Sequence, residues 1–92
     1  MTQKIIRRLA ILNEKGLHAR ASAKFVETVE KFDATAQIWK DGLDASGDSI
    51  MGLLMLAASK GTSIEVETDG KQAIELADAL EALFDNRFGE ER

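Results

Sequence analysis

Residues 34–46 read ATAQIWKDGLDAS, and this segment predicts a β-hairpin. Between positions 34 and 40, alanine and isoleucine alternate with threonine, glutamine and tryptophan, which is the pattern of a β-strand with one buried face. The dipeptide Asp41-Gly42 then favours a tight hairpin turn. Residues 43–46 are therefore predicted to form a second strand, paired antiparallel with the first.

An amphipathic helix is predicted on the amino-terminal side of this hairpin, running from His18 to about Phe32. Apolar residues recur there at steps of three or four with polar residues between them, at Leu17, Ala21, Phe25, Val29 and Phe32. Further back, residues 5–12 (IIRRLAIL) end at the polar segment NEKG. This pattern is typical of a strand followed by a loop.

A second helix is predicted on the carboxy-terminal side of the hairpin, over SIMGLLMLAASKG at residues 49–61. Asp48 or Ser49 would cap its start, and Gly61 would end it. The segment is too apolar to show one face, so it is interpreted as a short helix that is either buried or turned toward a partner.

One more strand and one more helix complete the chain. Ile64 and Val66 alternate with glutamates, which predicts a strand with a charged outer face. Asp69 and Gln72 have the spacing of a capping box. A helical stripe follows and ends near Asp85 or Asn86; its members are Ile74, Ala77, Leu80 and Phe84.

The resulting order βαββαβα predicts an α+β fold, an open-faced sandwich with a four-stranded antiparallel sheet covered on one face by three helices. A chain of 92 residues has no room for a second core, so residues 1–92 are expected to be a single domain. Hydrophobic residues make up 45% of the sequence, which argues against disorder.

Charge and composition exclude several classes of function. Sixteen acidic residues against twelve basic ones give a net charge of -4, the wrong sign for binding nucleic acid. The chain has no cysteine, so thiol nucleophiles and thiolate metal sites are excluded. The amino terminus does not resemble a secretory signal, and no apolar run is long enough to insert into a membrane. A cytoplasmic protein without cofactor or metal is expected.

His18 is the single histidine and lies after Gly16 and Leu17, where the first helix begins. A helix start presents unpaired N–H groups and a partial positive charge, which favour an anion such as a phosphoryl group and disfavour imidazolium. Arg20 and, one turn on, Lys24 add cationic donors. These features suggest an anion site that contains a nucleophile.

Plainer interpretations stay open for each residue. A lone histidine at a helix start can simply cap the helix or face solvent, and no second histidine supports a metal site or a hydrolytic triad. Ser49 can be a plain N-cap or a phosphorylation site, although Asp48 would repel an added phosphate. Ile50 and Met51 belong either to a packed helix or to an exposed apolar patch. Trp39 likewise either packs or lies on the open face of the sheet.

Two segments carry a resemblance to a known family. GLHARASAKFV at residues 16–26 and SGDSIMGLLMLAASKG at residues 46–61 resemble the two signatures of the HPr family, the histidine-containing phosphocarriers of the bacterial phosphoenolpyruvate phosphotransferase system. The resemblance extends over nearly the whole chain. It implies a phosphoryl carrier, a covalent intermediate in a transfer chain and not an enzyme.

The resemblance assigns roles to individual residues. His18 would accept a phosphoryl group on Nδ1 from phospho-enzyme I and pass it to enzyme IIA-type acceptors, while Arg20 would neutralise phosphate charge. Ile50 and Met51 would contact the partner proteins. Ser49 matches the serine that HPr kinase/phosphorylase modifies in many members.

The sequence departs from the usual family pattern at two positions. Ala21 stands where many members have proline, and little effect on transfer is expected from this change. Asp48 stands where lysine is common, which makes modification of Ser49 by the kinase less certain. The segment LAASKG at residues 56–61 and the ending LFDNRFGEER at residues 83–92 are similar to members of the nitrogen-related branch and to proteobacterial members, so regulation can outweigh sugar uptake.

Two other functions are alternatives to the carrier. An acylphosphatase-like hydrolase has a similar length, but its arginine-containing loop and its asparagine are not recognisable here. A regulatory binding module controlled by Ser49 is the other rival, and His18 argues against it because such paralogues lack the histidine. A monomer is expected, since one patch must dock two partners in turn.

Overall fold

The computed structural model describes residues 3–92. Met1 and Thr2, which belong to the expected domain of residues 1–92, lie outside the described residues. The predicted order βαββαβα is confirmed, with a short 3-10 turn added after the last helix. The elements are β1 (Gln3–Ala10), α1 (Ala19–Glu30), β2 (Thr35–Lys40), β3 (Leu43–Ser46), α2 (Ile50–Met55), β4 (Ser63–Gly70), α3 (Ala73–Asp85) and the 3-10 turn (Arg87–Gly89).

The four strands form one antiparallel sheet in the order β1-β4-β2-β3. On its inner face, Val66 lies opposite Ile38, and both are buried beneath the helices. On its outer face, Trp39 lies opposite Glu65, and both are exposed. The α+β open-faced sandwich is therefore confirmed, and Trp39 belongs to the open face.

The core lies between the inner face of the sheet and the helices. Phe25 of α1 and Phe84 of α3 meet edge to face with ring centroids 6.0 Å apart, a favoured aromatic geometry. The stripe predicted for α1 is confirmed at Ala21, Phe25 and Val29, which are buried. The stripe predicted for α3 is wrong at Ile74, which is exposed because the buried face runs through Ala73, Leu76, Ala77, Leu80 and Phe84.

Helix α2 ends at Met55, six residues before the predicted stop at Gly61. The N–H groups of Leu56 and Ala57 donate hydrogen bonds to the carbonyls three positions earlier, which tightens the last turn. Ala57 then adopts a positive φ of 50°. The carbonyl of Ala58 accepts a hydrogen bond from Leu17 N–H at 2.9 Å instead of continuing the helix. A contact with a distant loop thus overrides the local apolar run.

The predicted capping box at Asp69 and Gln72 does not form. Asp69 belongs to β4, and Gln72 precedes α3 without a side-chain cap. The Gln72 side chain instead accepts a hydrogen bond from Asp33 N–H at 2.7 Å, and Gln72 N–H donates to Asp33 O at 3.0 Å. Gln72 therefore holds the loop before β2 against the start of α3.

Two boundaries also shift at the amino-terminal end. Strand β1 ends at Ala10 and not at Leu12, because Ile11 N–H leaves the strand pairing and donates to Thr62 O at 2.9 Å. Helix α1 ends at Glu30, two residues before Phe32. Among residues 3–92, no helix has both the length and the apolar character needed to cross a bilayer.

Candidate functional site

The loop between β1 and α1 delivers His18 to the start of the helix. Gly16 has a φ of 65°, a left-handed conformation that glycine adopts readily. Its N–H donates to Asn13 O at 3.2 Å, and the next residue, Leu17, bonds to Ala58. The loop is thus closed on itself and fastened to the turn after α2.

His18 is the N-cap residue of α1, with extended backbone and no capping hydrogen bond from its side chain. Its carbonyl accepts the first helical bond, from Ser22 N–H at 2.8 Å. The N–H groups that come before Ser22 in the first turn of α1 have no intrahelical partner, and they favour a negative charge nearby. Because the imidazole does not cap the helix and its side chain is 26% exposed, His18 remains accessible at the positive end of α1.

The imidazole is held by a carboxylate from the carboxy-terminal end of the chain. His18 Nε2 contacts Glu90 Oε2, and Glu90 Oε1 accepts a hydrogen bond from Asn13 Nδ2 at 2.9 Å. Asn13 is fully buried, and the same Nδ2 donates to Gly16 O at 2.8 Å. Asn13 therefore links the loop that carries His18 to the carboxylate that contacts it.

The pKa of the Glu90 carboxyl lies below its ordinary value. Burial alone would raise this pKa, but the hydrogen bonds from Asn13 and His18, together with the positive charge of Lys15, outweigh it. Glu90 is consequently an anion at neutral pH.

The segment that presents Glu90, residues 86–90, is here named the carboxy-terminal strap. Phe88 anchors it, since its ring is fully buried with its centroid 4.7 Å from that of Phe84. Lys24 Nζ donates to the Phe88 carbonyl, so Lys24 fastens the strap and does not point at the helix start as the sequence suggested. Gly89 N–H closes the turn by donating to Asn86 O at 2.9 Å.

Sequence reasoning missed Asn13, Phe88 and Glu90. Glu90 lies 72 residues from His18 in the chain, so no local spacing connects the two. The available signal was Phe88, a large apolar residue followed by a glycine in an otherwise polar ending. Such a residue indicates a tail that packs back onto the core.

Arg20, the predicted phosphate ligand, is exposed on the first turn of α1. Within residues 3–92 its guanidinium forms no ion pair. It lines a shallow depression together with Lys15, Glu90 and Arg92, beside the contact between Glu90 and His18. An uncommitted, always charged donor is thus available close to the imidazole.

Ser49 is the N-cap of α2, where its Oγ accepts a hydrogen bond from Gly52 N–H at 3.0 Å. The two residues after it are exposed, Ile50 by 40% and Met51 by 69%. Leu53 of the same helix is fully buried. Of the two interpretations of this helix, the exposed one holds for Ile50 and Met51, and α2 packs beside α1.

The comparisons with known proteins agree on one family. The family model described as "PTS HPr component phosphorylation site" matches residues 5–86. The phosphocarrier protein HPr of Neisseria meningitidis strain MC58 is 49% identical over 82 residues, covering 89% of this chain and 92% of the relative. That of Pseudomonas aeruginosa is 41% identical over 83 residues, covering 89% of this chain and 92% of the relative.

Solved structures show the same fold. A crystal structure of HPr from Thermoanaerobacter tengcongensis superposes with a TM-score of 0.86 at 34% identity, covering 98% of this chain and 99% of that one. A crystal structure of an HPr dimer from the same organism gives a TM-score of 0.74 at 36% identity, covering 89% and 94%. Since the family match spans the sheet, the three helices and the loop that presents His18, this chain belongs to the HPr family of phosphocarrier proteins of the phosphotransferase system.

Proposed function

We propose that His18 is the residue that carries the phosphoryl group, taking it from phospho-enzyme I and giving it to enzyme IIA-type acceptors. The observation that carries this proposal is the placement of the single histidine at the start of α1, with an accessible side chain that does not cap the helix. A nucleophile at the positive end of a helix suits a group that is negatively charged throughout transfer.

The chemistry is an in-line transfer between two histidines. The Nδ1 lone pair of His18 forms the new N–P bond as the N–P bond of phospho-enzyme I breaks. In the second transfer a histidine of the acceptor forms an N–P bond as the N–P bond at His18 Nδ1 breaks, and the electron pair returns to Nδ1. Arg20 and the unpaired N–H groups of the first turn of α1 stabilise the charge on the phosphoryl oxygens. The protein contributes position and charge, and it is a carrier that is regenerated unchanged.

Partner proteins dock, in this proposal, on the exposed apolar side chains of α2. Ile50 and Met51 offer a small apolar surface with a flexible methionine, which suits several partners bound in turn. A small docking surface releases each partner quickly, as turnover requires. We further infer that the carrier works in the cytoplasm, and as a monomer because one patch must dock two partners in turn.

Ser49 is a second, regulatory site in the same proposal. Its Oγ accepts from Gly52 N–H, so a phosphate there would keep an acceptor at the start of α2 while adding negative charge beside Ile50. The neighbouring Asp48 carboxylate accepts a hydrogen bond from Ser46 Oγ at 2.6 Å, and its negative charge opposes the addition of a phosphate to Ser49. HPr kinase/phosphorylase is the partner that this site implies.

Intact-mass measurement tests the proposal directly. The protein is incubated with phosphoenolpyruvate and enzyme I beside a His18→Ala variant, and a second sample receives ATP and HPr kinase beside a Ser49→Ala variant. One phosphoryl group that is gained by the native protein alone and lost in mild acid supports His18. Phosphorylation only in the second sample would favour the regulatory module, and release of phosphate from acyl phosphates would favour the hydrolase.

A further inference from the structure

We propose that Glu90 is a positioning residue for phosphoryl transfer, because its carboxylate fixes the proton of the His18 ring on Nε2 and so leaves Nδ1 as the nucleophile. This inference rests on the proposed role of His18 as the phosphoryl acceptor. It concerns a residue of the carboxy-terminal strap, outside both sequence segments that resemble the family signatures.

The argument starts from what each partner can donate. An ionised carboxylate only accepts hydrogen bonds, so the nitrogen that faces it must carry the proton. Glu90 Oε2 faces Nε2 of His18, and no hydrogen bond from another of residues 3–92 reaches Nδ1. A neutral imidazole has one protonated nitrogen, and the lone pair is therefore on Nδ1.

The carboxylate is held in place by contacts that come from the loop before His18, from α1 and from the core. Asn13 is buried and donates through one nitrogen to both Glu90 Oε1 and Gly16 O. Phe88 inserts its ring into the core two residues earlier, and Lys24 fastens the Phe88 carbonyl. The strap therefore holds the Glu90 carboxylate in position against His18. In other proteins, residues that do not react hold a functional imidazole in the same manner, through a hydrogen bond to its second nitrogen.

The carboxylate also has a role once the group has arrived. When the Nδ1 lone pair forms the N–P bond and the N–P bond of the donor breaks, the Nε2 proton stays and the ring becomes positively charged. Glu90 neutralises that charge across a hydrogen bond. When the acceptor takes the phosphoryl group, the electron pair of the N–P bond returns to Nδ1, so no proton has to enter or leave the site.

Nitrogen-15 NMR tests the tautomer without any partner protein. Because His18 is the single histidine, labelling with ring-15N histidine gives one pair of signals. At a pH where the ring is neutral, we expect the native protein to show a protonated Nε2 and an unprotonated Nδ1. Glu90→Ala should show a mixture of both tautomers. A proton on Nδ1 in the native protein, or an unchanged spectrum in Glu90→Ala, would overturn the proposal.

Transfer kinetics separate the hydrogen bond from the charge. We expect Glu90→Ala to slow phosphorylation by enzyme I about tenfold, the size of one charge-assisted hydrogen bond. Glu90→Gln retains an oxygen that accepts from Nε2, so it should keep the native tautomer and lose part of the rate. Glu91→Gln removes the same charge one residue away and should match the native rate.

The two proposals fail in distinguishable ways. If the native protein is never phosphorylated, the role of His18 as acceptor fails while the tautomer measurement still stands. If the native protein is phosphorylated and Glu90→Ala reacts at the same rate, His18 is the acceptor and the positioning role of Glu90 is refuted.

Discussion

The backbone of Gly16 lies so close to the carbonyl of Ala58 that a Cβ atom on Gly16 would be 2.4 Å from Ala58 O. The Leu17 N–H donates a hydrogen bond to the same carbonyl, so the loop before His18 is held directly against the turn after α2. The placement of His18 at the helix start thus depends on a residue without a side chain.

The variant Gly16→Ala is expected to lower the free energy of unfolding by about 3 kcal/mol, because a left-handed backbone and a displaced carbonyl both oppose the added methyl group. Gly61→Ala is the matched control. Gly61 also has a positive φ, of 88°, but a Cβ there would meet nothing within 4 Å. The free energy of unfolding of Gly61→Ala should fall by only about 1 kcal/mol. Urea denaturation measures both values, and equal losses would show that the contact with Ala58 is unimportant.

The variant Phe88→Ala is expected to release the carboxy-terminal strap. Removal of a fully buried ring that packs at a tilt against Phe84 should lower the free energy of unfolding by about 3 kcal/mol. Glu90 would then leave His18, and the tautomer mixture expected for Glu90→Ala should appear in Phe88→Ala as well. Ile74→Ala, an exposed apolar residue of α3, should change stability by less than about 0.5 kcal/mol. A native-like tautomer in Phe88→Ala would argue against the strap as the support of Glu90.

The sheet, the helices and His18 could be predicted because their signals are local. Alternation over residues 34–40 and the Asp41-Gly42 turn give the hairpin directly, and the periodic residues of α1 place His18 at its start. The boundary of α2 could not be predicted, because it depends on the bond between Leu17 and Ala58, which is a tertiary contact.

The contacts that support the candidate site could not be predicted either, because Phe88 indicates a packed tail but not where that tail lies. Phe88 adopts a positive φ of 56°, which an L-residue rarely does, and no periodic pattern of apolar residues surrounds it in the sequence. Asn13 looked like an ordinary loop residue, yet it is fully buried. Only the folded chain shows that Glu90 and Asn13 meet.

The variant Met51→Glu is expected to weaken docking to phospho-enzyme I. Met51 is highly exposed on α2, and a charge there would oppose burial of the apolar surface against a partner. We expect kcat/KM for phosphorylation to fall about tenfold while kcat changes little. Ile6→Glu places the same charge on an exposed apolar residue of the outer sheet face and should leave both constants unchanged. A similar fall in kcat/KM in both variants would show that α2 is not the specific docking surface.

The variant Arg20→Ala is expected to slow the transfer step itself. Loss of the guanidinium that we propose stabilises the phosphoryl oxygens should reduce kcat by roughly 10- to 100-fold, and Arg20→Lys should recover part of the loss because it keeps the charge but not the planar fork. Arg20 is exposed, so stability should not change. Arg8→Ala, on the outer sheet face, is the control. An unchanged kcat in Arg20→Ala would show that Arg20 takes no part in the transfer step.

The lowered pKa of Glu90 predicts how stability depends on pH. The folded protein holds the carboxylate with hydrogen bonds from Asn13 and His18, so its pKa lies below the ordinary value of 4.5 that it regains on unfolding. The unfolded state therefore binds a proton more readily, and the stabilisation is fully present above pH 4.5 and is lost as the pH falls through the lower folded pKa. Urea denaturation of the native protein and Glu90→Gln over this range should show a stability difference that shrinks with acid. Glu91→Gln removes the same charge from the next residue and is the control. A pH-dependent loss of stability in Glu90→Gln alone would show that it arises from the hydrogen bonds with Asn13 and His18. The same pH dependence in both variants would show that the negative charge of the tail is its only cause.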